Sequence, residues 1–97
     1  MAIGHLTVTN NYWEIMTRSE VLEKIRLTLE EILDRDDLSL TEPTTAASVD
    51  GWDSINHVKL IIALEGDLGV RFSSSEVEKL MTVGDLVDLI VKKFAKD

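Results

Sequence analysis

Apolar residues recur at three- and four-residue steps in three separate stretches of this chain, and no convincing alternating run competes with them. That pattern commits the chain to helices. In the first stretch Val21, Leu22, Ile25, Leu29, Ile32 and Leu33 share a face, giving a helix to about Arg35. Thr17-Arg18-Ser19-Glu20 opens it as a capping box, with Met16 and Val21 placed as a hydrophobic staple. The second helix is expected from about Ser54 to Asp67, with Gly66 and Gly69 weakening and then ending it. Ser73-Ser74-Ser75-Glu76 repeats the capping-box pattern and starts a brief third helix carrying Val77 and Leu80. Thr82-Val83-Gly84-Asp85 opens the last helix, with Met81 and Leu86 as its staple. Its inner face is Val83, Leu86, Ile90 and Phe94, flanked by Val87 and Val91. Lys92, Lys93 and Lys96 complement its negative C-terminal dipole. The expected fold is all-α: a four-helix bundle of three longer helices and one short one, with a long first loop.

That loop runs from Asp36 to Trp52, where Pro43 and a Thr/Ala/Ser-rich stretch deny a regular element. A connection of this length in a small domain is functional or tied down. Leu38, Leu40, Val49 and Trp52 are the candidate anchors. Residues 1–16 carry no helical stripe and read as a flexible lead-in, possible contacts through Tyr12 and Trp13 aside, leaving residues 17–97 as one domain. No apolar run approaches the roughly 20 residues that cross a bilayer, and no leader pattern opens the chain, so the expectation is a cytoplasmic protein. Without cysteine, neither a disulfide nor a thiolate metal site holds the fold.

Charge is uneven. Between Glu30 and Asp53 stand eight acids against one base, Arg35, whereas the rest of the chain is nearly balanced. Such a patch repels nucleic acid and anionic membrane and attracts basic protein surfaces. Asp34, Asp36 and Asp37 suggest calcium at first sight. Leu38 and Ser39, however, stand where an EF-hand needs an oxygen ligand and a glycine, so no metal site is assigned.

The acidic loop ends at Asp50-Gly51-Trp52-Asp53-Ser54-Ile55-Asn56-His57, which delivers a serine to a helix start. Asp53 or Ser54 is the expected cap, and a phosphate on the Ser54 hydroxyl would sit at the positive end of the helix. One serine presented there, with few other reactive groups nearby, suits a carrier better than a catalyst. Asp53, Ser54 and His57 lie too close along one turn to form a hydrolase relay, and no Gly-x-Ser-x-Gly elbow is present.

The second helix has more apolar surface than one face needs. At about 100° per residue, Leu60, Ile61, Leu64 and Leu68 form a core face that also takes His57. Ile55, Val58 and Ile62 form another group on the order of 140° away. Asn56, Lys59, Gly66 and Asp67 fill the polar side. Starting one residue past Ser54, the second apolar group reads as a docking strip for other proteins, with Lys59 and Asn56 beside it.

These residues resemble the acyl carrier protein family, whose signature is Asp-Ser-Leu opening the second of four helices; this chain has Asp53-Ser54-Ile55. Val58, Leu60, Ala63-Leu64-Glu65, Leu68, Phe72, Thr82-Val83, Asp88 and Ile90 follow the family pattern, and the resemblance covers about Thr17 to Lys93. The resemblance implies a 4′-phosphopantetheine arm on Ser54, added by a phosphopantetheinyl transferase that also reads Asp53. The arm's thiol would hold an acyl group as a thioester, loaded by a ligase or transferase and passed to acyl-processing enzymes. The carrier itself would be a monomer and no enzyme, with neither nucleic acid nor membrane as partner.

Departures from the fatty-acid-synthesis pattern stand at Asn56 and Lys59, where acids are typical, at Gly66, and at Gly51-Trp52 and His57. They point to a specialised lipid, polyketide or other dedicated pathway. A peptidyl or aminoacyl carrier would share Ser54 and the arm. An unmodified helical interaction domain would keep the fold and use Ile55, Val58 and Ile62 alone.

Overall fold

The computed structural model describes residues 16–95, all of whose regular structure is helical. The expected lead-in of residues 1–16, including the Tyr12 and Trp13 contacts, lies outside the described residues except for Met16, as does Lys96. Four α-helices follow one another among the described residues: α1 Arg18–Leu33, α2 Ser54–Leu68, α3 Ser74–Glu78 and α4 Val83–Ala95.

Helix α1 starts where the capping box places it. Thr17 Oγ1 accepts from the Glu20 N–H at 3.2 Å, and Glu20 Oε1 accepts from the Thr17 N–H at 2.8 Å. Met16 packs partly buried against the core that Val21 enters fully. The helix ends two residues before Arg35. Asp34 turns left-handed at φ 57° and its N–H closes onto the Glu30 and Glu31 carbonyls, a conformation aspartate tolerates better than most residues. Thr28 is buried on this helix, and its hydroxyl donates to the Lys24 carbonyl at 2.7 Å.

Helix α1 packs against both α2 and α4. Val21, Ile25 and Leu29 of α1, Leu60 and Leu64 of α2, and Val83, Leu86, Val87 and Ile90 of α4 form a fully buried centre. Helix α2 ends at Gly69, whose φ of 70° is the left-handed cap glycine adopts at least cost. Helix α3 forms under its own capping box, Ser73 with Glu76, and Lys93 ties Glu76 to α4 at 3.0 Å. Leu80 lies just beyond α3 but still packs on the core.

Two local expectations are corrected. Met81 stays 76% exposed while Leu86 is buried, so that staple does not close. Asp85 starts α4 instead: its Oδ2 accepts from the Met81 and Thr82 N–H groups at 2.9 and 3.1 Å, and its own N–H donates to Thr82 Oγ1. Further, Ala46–Ser48 forms a turn of 3-10 helix where no regular element was expected. Past Pro43 nothing in Thr45-Ala46-Ala47-Ser48 opposes helical dihedrals, and both the N–H and the hydroxyl of Ser48 bond the Thr45 carbonyl.

The long loop is tied down throughout. Leu38, Leu40 and Trp52 are buried, and Val49 packs partly buried beside them. Glu30 accepts the Leu38 N–H at 3.0 Å. The Val83 and Gly84 N–H groups donate to the Thr44 and Glu42 carbonyls at 2.8 and 2.7 Å. A Cβ at Gly84 would stand 3.1 Å from the Glu42 carbonyl oxygen, so the backbones approach closely because residue 84 has no side chain. Arg18 clasps the same point from α1, donating to Glu42 at 2.5 and 3.0 Å and to Asp88 at 2.6 Å.

Candidate functional site at the start of helix α2

The loop reaches α2 through a tight backbone path. Trp52 N–H donates to the Val49 carbonyl at 3.1 Å, and Asp53 N–H to the Gly51 carbonyl at 3.0 Å. Gly51 has φ +91°, a conformation L side chains resist, which explains a glycine immediately before Trp52. The Asn56 side-chain amide donates back to the Gly51 carbonyl at 2.8 Å. Asn56 is thus half-buried and engaged in shaping the loop, whereas sequence placed it on the polar side of the helix.

Asp53 is the cap. Its Oδ1 accepts the Asn56 N–H at 2.9 Å, and its carbonyl accepts the His57 N–H at 2.8 Å. Ser54 is therefore the first helical residue, and it is exposed. Among the described residues nothing hydrogen-bonds the Ser54 hydroxyl, nor the backbone N–H groups of Ser54 and Ile55. An exposed, unengaged hydroxyl beside two open backbone donors at a helix N-terminus fits a phosphodiester attached at that oxygen.

His57 and Trp52 meet just inside this point. The indole N–H donates to His57 Nδ1 at 3.1 Å, with ring centroids 5.9 Å apart. With Nδ1 accepting from Trp52 and the Asp53 carboxylate on the Asn56 N–H, Asp53 and His57 are committed to partners other than Ser54. Burial pushes the His57 imidazole below its ordinary pKa of 6.5. A lowered histidine binds protons less well folded than unfolded, so its contribution to stability is full above about pH 6.5 and is lost as pH falls through its folded value. His57→Gln keeps an acceptor for Trp52 but does not titrate. We expect thermal midpoints measured from pH 7.5 to 5 to fall further for the wild type than for this variant. Parallel curves would contradict the assignment.

Helix α2 is two-faced, as its sequence implies. Leu60, Ile61 and Leu64 are buried, while Ile55, Val58 and Ile62 are 67%, 55% and 61% exposed. Lys59 is exposed beside that strip and has no ion-pair partner among the described residues. Sequence reasoning brought Asp53, Ser54, Ile55, Val58, Lys59 and Ile62 to one end and one side of α2, where they stand. It missed the bonds from Trp52 to His57 and from Asn56 to Gly51. Their only sequence signal was that Gly51-Trp52, Asn56 and His57 are unusual residues for these positions. Among the described residues, no three acids or histidines are grouped to hold a metal ion, and no helix is long and apolar enough to cross a membrane.

The family described as "Phosphopantetheine attachment site" matches residues 23–90. The acyl carrier protein of Thermosynechococcus vestitus is 38% identical over 80 residues, covering 82% of this chain and 99% of that protein. That of Thermotoga maritima is 34% identical, covering 79% of this chain and 95% of its own length. Among solved structures, holo acyl carrier protein from Geobacter metallireducens superposes with a TM-score of 0.71 at 39% identity, covering 76% of this chain and 85% of that one. The chain belongs to the acyl carrier protein family, whose covalent prosthetic group is 4′-phosphopantetheine.

Proposed function

We propose that Ser54 is the residue that carries the phosphopantetheine arm, and that this chain is a specialised acyl carrier serving a dedicated lipid, polyketide or related pathway. The observation that carries the reading is the exposed, unengaged Ser54 hydroxyl on the first residue of α2, held in place by the Asp53 cap. The arm, when attached, supplies a terminal thiol that holds an acyl group as a thioester. The protein's own residues do the rest without catalysing a reaction. Asp53 fixes the helix start and offers a carboxylate edge to the transferase. Asn56 and Gly51 shape the approach, and Ile55, Val58 and Ile62 supply apolar contact for successive enzymes. A tether of this kind raises the local concentration of cargo at each of them. The carrier domain spans residues 17–97 and works as a cytoplasmic monomer, partnered by a phosphopantetheinyl transferase, a loading ligase or transferase, and acyl-processing enzymes.

Peptide mapping after loading from coenzyme A tests the site. The added mass belongs on the peptide containing Ser54; finding it on Ser48 or on Ser73–Ser75 would reject the assignment.

Specialisation rests on charge. The first two turns of α2 present Lys59 and, apart from the capping Asp53, no carboxylate. Enzymes that dock acidic carriers through basic patches would meet like charge at Lys59. Lys59→Glu is expected to speed malonyl transfer by a general fatty-acid-synthesis transferase, by up to roughly tenfold at low salt and less as salt screens the contact. An unchanged rate would remove the charge argument.

A further inference from the structure

A small apolar cavity of about 30 Å³ opens directly beneath the start of α2, between the loop and the turn that leads into α4. Trp52 and His57 line it together with Leu80, Met81 and Leu86. Its volume suits about one water-sized group. The core residues Leu60, Leu64 and Ile90 do not line it and are fully buried. The two ring systems are fixed by position as well as by packing. Trp52 is buried, and its indole N–H is satisfied by His57 Nδ1 at 3.1 Å, so moving either ring leaves a polar atom without its partner. His57 lies three residues past Ser54, less than one turn of the same helix. A chain leaving the Ser54 oxygen and running inward along α2 comes level with His57 within the first turn.

We propose that Trp52 and His57 form a bar across this cavity that keeps a cargo chain out of the bundle, so that an acyl group on this carrier stays at the surface whatever its length. The inference rests on Ser54 as the attachment point only for the route the cargo takes; the barrier itself is a property of the bare chain. The same bar sets which partners suit the carrier. Enzymes that take the cargo find it already outside and need not draw it from the core. A long chain gains no protection from water or from stray hydrolases. Such a carrier suits short or polar acyl groups.

The test has two arms. In the first, unmodified wild type, Trp52→Phe and His57→Ala are titrated with octanoate while the methyl signals of Leu60, Leu64 and Ile90 are followed by NMR. Wild-type methyls are expected to stay fixed, and those of at least one variant to move saturably. Two substitutions are used because Trp52→Phe keeps most of the ring volume if His57→Ala fails to fold. In the second arm, acetyl- and octanoyl-phosphopantetheine are loaded onto the wild type and onto each variant that folds, with intact mass confirming one addition. The two wild-type forms are expected to melt within about a degree of each other, whereas the octanoyl form of an opened variant melts several degrees above its acetyl form. Core methyls of the wild type that move with octanoate, or a wild-type midpoint that climbs with chain length, would overturn the proposal. So would variants that respond no more than the wild type, since the two rings would then not be the barrier. Absence of any mass addition would count against Ser54 as the attachment point instead, leaving the first arm to judge the bar.

Discussion

Leu64→Ala is expected to cost about 2–5 kcal/mol of folding stability, while Ile62→Ala, two residues earlier on the same helix, changes it by no more than about 0.5 kcal/mol. Leu64 is fully buried in the core shared by the helices, and its truncation leaves a void that a well-packed core fills only in part. Ile62 is 61% exposed, so its methyl groups give up little burial when removed. In a domain of this size, with total stability of roughly 5–10 kcal/mol, the Leu64 change removes a large fraction of the whole. Urea titrations followed by helical circular dichroism check both. Equal losses at the two positions would mean that α2 does not present one face to the core and the other to solvent. Ile62→Ala has a second readout, a weakened transfer of cargo to a partner enzyme with the fold intact.

Trp52→Ala is the second large effect, and it links stability to the site. Trp52 is the last buried anchor before the cap, and the Gly51–Asp53 backbone turns around it. Truncation is expected to cost about 3–5 kcal/mol and to leave His57 Nδ1 without its donor. It also frees the segment that positions Asp53 and Ser54. Transfer of phosphopantetheine is expected to slow on the order of tenfold or more, even at temperatures where the variant is still folded, because the hydroxyl is no longer held in one place. Measuring the loading rate well below the variant's own melting midpoint separates the two effects. A variant that is destabilised yet loads at the wild-type rate would show that the transferase does not depend on this preorganisation.

Much of the bundle was legible because its signals are local. Thr17 with Glu20 and Ser73 with Glu76 are short reciprocal caps that need no tertiary context, and both form. The stripe through Val83, Leu86 and Ile90 has helical period, and burial follows it. Ser54 was legible for the same reason, since a cap residue followed by a serine and an apolar repeat marks a helix start. What sequence could not supply is contact between distant segments. Nothing in Arg18 announces Glu42 and Asp88 as its partners, and nothing in Gly84 announces the Glu42 carbonyl close against it. The Met81 staple failed for a related reason. Asp85 already satisfies the N–H groups at the start of α4, and the chain there runs along the surface, leaving Met81 outside. The Trp52–His57 bond spans a helix boundary, where neither helical nor extended spacing predicts which side chains meet.

The most direct measurement is intact mass after incubation with coenzyme A, magnesium and a broad-specificity phosphopantetheinyl transferase, run beside Ser54→Ala. A single phosphopantetheine addition to the wild type and none to the variant is the result expected if Ser54 is the attachment point. An addition that persists in Ser54→Ala would contradict it. So would no addition to a folded wild-type chain under conditions that load another acyl carrier protein.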